Sequence, residues 1–338
     1  MKRKRIKKTA ITVILICAAL LPGLAALSCS SKGYSGPVET IKFGDLAVDS
    51  NLFIYIAQEQ GYFAENGINL VITHYDTGPA ALDALVNQDI DLTAMGEFPV
   101  VGKAFTKESI GIIGTIDKFR SFYLVGRKDR GIQTVADFKG KSIGLVKNAL
   151  PEFYLGRLLE MNHMSIKDVA EVSVSPAQWV NAINNGDVDG IVVAQSYLEK
   201  VQSQLADNSV TFPLQSDQFA FGVLVCRNDW IAQHTQLVKN LLTALAQAER
   251  YLNTHLELSK NILAKRFSYD AAYMGSLWPE HRFSLLVDQS LILAMEDEAR
   301  WMISNSLTTE KIVPNFLDYV YTDGLKAVKP GAVSIAGK

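Results

Sequence analysis

Residues 84–91 read ALVNQDID and residues 182–189 read AINNGDVD, so one phrase recurs at a spacing of 98. In each copy a small-apolar pair (Ala84-Leu85, Ala182-Ile183) suits the inner face of a helix. Asn or Gly then stops that helix, and an Asp-apolar-Asp step enters a strand at Ile90 or Val188. The surroundings repeat too. Before the first copy, IKFGDLAV reads as a strand, LFIYIAQEQGYFAENG as a helix closed at Asn66-Gly67, and INLVITHY as a second strand. PAALDALVNQD is the second helix, with Pro79 near its start, and IDLTAM the third strand. Around the second copy, SIGLV, PEFYLGRLLEMNH, AEVSV, PAQWVNAINNG and DVDGIVVA follow in the same order. Strand-helix-strand-helix-strand marks a parallel sheet covered by helices. Written twice, it predicts two similar α/β lobes.

Between the lobes, FYLVGRKDRGIQTVADFKGK (122–141) reads as a strand, a charged bend and a short helix. After the second lobe, DQFAFGVLVCRND (217–229) reads as a further extended crossing. Two crossings make a natural hinge. Helical spacing then dominates TQLVKNLLTALAQAERYLNTH and SLLVDQSLILAMEDEARWMISNSL, which are expected to return to the first lobe. The organisation expected is a leader over 1–28, a tether over 29–39, lobe 1 from 40–126 plus 217–338, and lobe 2 from 127–216.

The leader rests on a basic cluster, Lys2 to Lys8, followed by the apolar run AITVILICAALLPGLAALS, the pattern of a secretory signal. ALSCSSKGYSG resembles a bacterial lipoprotein box, which would make Cys29 the lipid-bearing N-terminus and attach the protein to the membrane; an ordinary signal peptide cut at the same bond and an uncleaved membrane anchor are the alternatives. Cys17 lies in the leader and Cys226 stands alone in FAFGVLVC, so the folded part has no disulfide to draw on, and Cys226 reads as a small buried apolar residue. Net charge is −2, and removing the six cations of the leader leaves −2 − 6 = −8. An acidic mature protein repels a phosphate backbone, so nucleic acid is excluded as a partner.

Little in the chain demands catalysis. GKS at 140–142 lacks the glycine five residues earlier that a phosphate loop needs, since position 135 is Val. His74, His163, His234, His255 and His281 are scattered without metal-ligand spacing, and none falls in a segment expected at the cleft. No metal, cofactor or catalytic residue is expected. EDEAR (296–300) reads as a solvated helix face.

A binding site is better founded. In open parallel sheets, ligands sit outside the carboxyl ends of the strands, where helix starts offer free N–H groups. That edge brings together Asp49, Ser50, Asn51, Gly78, Gly96, Glu97 and Phe98 in lobe 1, and Asn148, Ala149, Gln195 and Ser196 in lobe 2, with Phe119 nearby. Asp49 and Glu97 favour a donor-bearing or cationic ligand group. Lys118, Arg120 and Lys147 are the candidates to pair with an anion instead.

With these residues in place, LFIYIAQEQGYFAENGINLVI, ALVNQDIDLTAMGEFP and VADFKGKSIGL together resemble the solute-binding proteins of nitrate/sulfonate/taurine-type ABC importers. The helix DQSLILAMEDEARWMISNSL and the tail VPNFLDYVYTDGLKAVKP match the same group. The resemblance implies a type II periplasmic-binding-protein fold, two lobes each with a mostly parallel sheet, closing on a small-molecule ligand. It implies delivery to an ABC permease in the membrane, an exported location in the cell envelope and a monomer. Where relatives have hydroxyl residues before the pair matched by Glu152-Phe153, this chain has Ala149-Leu150-Pro151. Where relatives have Trp-Glu-Pro it has Ala194-Gln195-Ser196. A thiamine-precursor pyrimidine is the alternative ligand within this group. A pyrimidine-synthase-like enzyme and a sensory lipoprotein are the alternatives outside it.

Overall fold

The computed structural model describes residues 34–216 and 218–336; the expected leader, including Cys29, lies outside them. Two five-stranded sheets divide the chain. In the first, β1 (Glu39–Asp45), β2 (Ile68–His74) and β3 (Leu92–Gly96) run parallel, joined by β4 (Ile110–Phe119). In the second, β6 (Ser142–Leu145), β7 (Ala170–Ser173) and β8 (Gly190–Ala194) run parallel, joined by β5 (Phe122–Arg127) and β9 (Ser209–Pro213). The remaining strand, β10 (Ala220–Arg227), returns to the first sheet, between β3 and β4 and antiparallel to both. Strand orders are β2-β1-β3-β10-β4 and β7-β6-β8-β5-β9. Each sheet is therefore completed by one antiparallel strand that has just crossed from the other. This is the two-lobed type II arrangement.

The repeated phrase explains why both halves fold alike. After the helix Gly78–Val86, the amide of Asp89 bonds the carbonyl of Ala84 at 2.9 Å; after the helix Trp179–Asn185, Asp187 bonds Ala182 at 3.0 Å. The turn residue adopts the left-handed region in both, Gln88 at φ 69° and Gly186 at φ 80°. The second Asp then ties the incoming strand to the first strand of its own lobe. Asp91 N donates to Lys42 O and its carboxylate accepts from Lys42 N, both 2.9 Å. Asp189 N donates to Ser142 O and its carboxylate accepts from Ser142 N, again both 2.9 Å. Ser142 Oγ adds a third bond to Asp189 at 2.9 Å.

Buried on both faces, the central strands read as continuous apolar runs rather than alternating ones, as in Leu92–Met95 and Ala220–Cys226. Cys226 is fully buried, and burial pushes its thiol up. The long helix Thr235–Thr254 packs on the helix Leu52–Glu59 and so covers the first sheet, as its spacing predicts.

Some expectations change. The first helix is two, Leu52–Glu59 and Tyr62–Glu65, broken where Gly61 takes φ 76°. Strand β1 opens at Glu39, inside the expected tether. The lobe boundary expected at 126 moves to Arg120–Ser121, because residues 122–127 pair with β8 and β9 of the second sheet. The return crossing lies between β9 and β10. One side chain fastens both crossings. Gln215 Oε1 accepts from Ser121 N at 2.9 Å and Phe122 N at 3.3 Å, while Nε2 donates to Phe119 O and Gln218 O at 3.2 Å each. That uses all four hydrogen bonds an amide side chain can make.

The Asp189 clamp is testable. Burial alone would raise its carboxyl, but the Ser142 bonds and nearby Lys141 and Arg130 overcome that and hold it below the ordinary range. A depressed acid stabilises the fold above its unfolded value and loses that contribution as pH falls through the folded one. Asp189→Ala is expected to cost about 1–3 kcal/mol at pH 7 in urea unfolding, with the gap to wild type shrinking as pH falls below the ordinary aspartate range.

Candidate functional site

A cavity of about 200 Å³ lies between the two lobes. That is small beside the ~300–1,000 Å³ of most ligand pockets. Repeat-related positions line it from opposite sides. Gly78 faces it from lobe 1 and Pro176, 98 residues on, from lobe 2; Gly96 and Ala194 form a second such pair. Helix starts meet here: Thr77-Gly78, Ala149-Leu150-Pro151, and Ala194 with Ser196. Thr77 caps its helix, its side chain accepting from Ala80 N at 3.3 Å. Phe119, Phe122, Trp179, Tyr197 and Tyr269 make much of the wall aromatic, and Leu46, Val48, Met95 and Val146 add aliphatic surface.

Of the residues expected at the site, Asp49, Ser50, Gly78, Gly96, Phe119, Ala149 and Ser196 line the cavity. The other five point elsewhere. Asn51 turns inward and donates to the buried Asp45 carboxylate at 2.8 Å, which also accepts from Tyr55 at 3.0 Å. Asn148 is a turn residue at φ 56°, a conformation Asn tolerates well, and its amide donates to Glu152 Oε2 at 2.6 Å. Gln195 reaches across the lobes to Ser276 Oγ at 3.1 Å. Phe98 is buried in an aromatic cluster with Phe153, at 5.8 Å between centroids, and Trp301, at 6.1 Å.

Glu97 is fully buried, and one oxygen accepts from Phe221 N at 3.0 Å. Its partner is Glu298, equally buried, so EDEAR is not a solvated face throughout. Burial raises both carboxyls, Glu298 well above its ordinary value. Mutual repulsion raises Glu298 further, whereas the Phe221 amide favours the ionised form of Glu97. Burial and mutual repulsion thus favour keeping one proton on the pair over ionising both carboxyls.

The candidate cations are engaged away from the cavity. Lys118 Nζ lies 2.7 Å from Asp288 and Arg120 Nε 3.0 Å from Glu280, while Lys147 interacts with Glu152 and Glu171. No Lys or Arg lines the cavity among the described residues.

His281, expected to lie outside the cleft, lines it. Residues 280–286 lace onto the free edge of β4: Arg282 N donates to Lys118 O at 2.8 Å, and Thr115 N to Leu286 O at 2.8 Å. This places the His281 ring on Phe119, nearly parallel at 17° and 6.0 Å between centroids. Its Nδ1 bonds Asp117 Oδ2 at 2.6 Å, and Asp117 Oδ1 accepts from Arg282 N at 3.1 Å. Burial alone would depress the imidazole; Asp117, its hydrogen bond, Asp49 and Glu280 together override that and raise it. Asp49 is raised chiefly by burial, against the pull of His281 and a hydrogen bond from Tyr269. His281, Tyr269, Phe122 and Trp179 were missed from sequence. Phe122 lies three residues after Phe119, and Trp179 opens a helix shortly after the strand end at Ser173, but His281 and Tyr269 come from a stretch with no strand-end signal. Among the described residues, no three or more His, Cys, Asp or Glu side chains gather to hold a metal, and no helix is long and apolar enough to cross a membrane.

Two contacts beside the cavity yield predictions. A Cβ at Gly156, on the lobe 2 helix Leu150–Met161, would lie 2.1 Å from the Trp301 ring of lobe 1. Gly156→Ala is expected to push the lobes apart, read as a larger radius of gyration in small-angle scattering and a loss of about 1–3 kcal/mol. The second concerns the Glu97–Glu298 pair. A raised acid binds more protons folded than unfolded, so its stabilisation is present at low pH and lost as pH rises through the folded value. Glu298→Gln should match wild type near pH 5 and melt a few °C higher at pH 8–9, the scale of ~1 kcal/mol or more.

Comparison with known proteins agrees with this geometry. A Brucella abortus protein named as a binding protein is 25% identical over 232 residues, covering 64% of this chain and 68% of its own. A Bacillus subtilis protein named for binding aliphatic sulfonates is 20% identical over 312 residues, covering 90% and 92%. Among solved structures, the alkanesulfonate-binding protein SsuA from Xanthomonas axonopodis pv. citri, bound to MOPS, superposes with a TM-score of 0.72 at 18% identity, over 85% of this chain and 100% of that one. The desulfurization enzyme DSZB superposes at 0.61 and 15% identity, over 87% and 99%. At these identities the structures show a shared fold, the periplasmic-binding-protein fold. The model for the family described as NMT1/THI5 like matches residues 50–256, most of the described chain, and the chain belongs to that family.

Proposed function

We propose that this protein is the extracytoplasmic solute-binding component of an ABC importer. It takes a small solute between its lobes, closes by bending at the two crossings, and presents the solute to a membrane permease. The observation that carries this reading is the cavity lined by equivalent positions of both lobes, Gly78 with Pro176 and Gly96 with Ala194. A site shared in that way is completed only when the lobes meet, which couples capture to closure. The relatives named for binding, and for aliphatic sulfonates in particular, support the same reading. The apolar and aromatic wall fits an organic solute better than a bare inorganic ion. For an organic sulfonate, the helix starts at Thr77-Gly78 and Ala149-Leu150 would supply the N–H groups and partial positive charge that an anionic head requires. The signal-like leader and Cys29 support an exported protein held at the membrane by a lipid.

A thermal-shift panel of alkanesulfonates, taurine, nitrate, aromatic amides and pyrimidines tests the assignment. At a hundredfold excess over its dissociation constant, a bound ligand should stabilise the fold by about 2.7 kcal/mol. An organic member is expected to protect and nitrate is not. Protection by none would overturn solute capture.

A further inference from the structure

Two buried polar atoms at the cavity have no partner among the described residues: Asp49 Oδ1 and His281 Nε2. His281 is 6% exposed and its ring is fixed from behind, where Nδ1–H donates to Asp117. With Nδ1 so engaged, protonation of the ring, which Asp117 and Asp49 favour, puts on Nε2 a hydrogen that nothing among the described residues accepts. Asp49 lies near enough that each group shifts the proton affinity of the other, and Tyr269 supplies it with one donor. A buried donor and a buried acceptor left unsatisfied in one cavity cost free energy unless something there serves them.

We infer that the cavity is specific for a ligand presenting a hydrogen-bond acceptor and a hydrogen-bond donor on neighbouring atoms of an aromatic or otherwise apolar body, the acceptor taking His281 Nε2–H and the donor meeting Asp49. Carboxamides, lactams and amino-substituted nitrogen heterocycles have such an edge. A sulfonate or nitrate group offers acceptors only and would leave Asp49 facing a second negative charge. If the solute is a sulfonate, that head is therefore held at the helix starts, and Asp49 with His281 reads its other end. The aromatic walls at Phe119, Phe122 and Trp179 give a flat ring surfaces to lie against. The inference rests on solute capture and assigns the two residues that set its selectivity.

The test compares benzamide with methyl benzoate by titration calorimetry at pH 6. The two share a ring and a carbonyl, but only the amide donates. Benzamide is expected to bind at least tenfold more tightly. Asp49→Leu should abolish that difference while leaving the ester's affinity within about twofold, with the melting point of the unliganded variant as the check on folding. Asp49→Asn, closer in shape, is the second variant should the first be unstable, and should narrow the difference. Equal affinity of amide and ester, a difference that survives at position 49, or binding of neither compound would each overturn the inference. Solute capture survives those results as long as another member of the thermal-shift panel protects, and falls only if none does.

Discussion

Each lobe depends on one short exchange of hydrogen bonds, between the second Asp of the repeated phrase and the first strand of that lobe. Asp91 grips Lys42, and Asp189 grips Ser142, through backbone and side chain together. A parallel pair has no hairpin to set its register, and a slip by one residue would turn every side chain to the wrong face. The carboxylate resolves this locally: it can reach only the strand position directly beside it. With β1 beside β3 and β6 beside β8 settled, the helix starts at the strand ends fall on one edge, and the cavity follows.

That edge is unlike what its charges suggest in isolation. The acids near the cleft do not form one negative patch. Asp45 is consumed by Asn51, Tyr55 and Arg266, Glu97 is buried away with Glu298, and Asp117 holds His281. Among the described residues, only Asp49 and the exposed Asp76 bring carboxylates to the cavity. The cations are spent similarly, Lys118 on Asp288 and Arg120 on Glu280. What is left is a mainly apolar space with a few directional groups, where each remaining hydrogen bond weighs more because water competes less.

The fold was legible in the chain because its signals are local. The helix stop and strand entry around Asn87 and Gly186, and Pro79 and Pro151 near the starts of their helices, can be read within a few residues. Cleft positions at strand ends, such as Ser50, Gly78, Gly96 and Ser196, follow from topology alone. Orientation does not. Whether Asn51 faces the solute or Asp45, or Glu298 faces water or Glu97, depends on a neighbour far away in sequence. His281 was the hardest to foresee: it enters on an irregular segment that becomes part of a sheet only by lying along β4, more than 160 positions earlier.

Gln215 carries a last implication. Its amide is bonded at once to the outgoing crossing, at Phe119, Ser121 and Phe122, and to the returning one, at Gln218. Two such connectors left separate would let the halves shear or swivel past one another. Stitched at Gln215, and again where Arg120 Nη1 donates to Ser216 O at 2.7 Å, they are held together as one connector. A change in the angle between the lobes would then have to be absorbed around Gln215 and Arg120 together, since neither crossing can shift without the other.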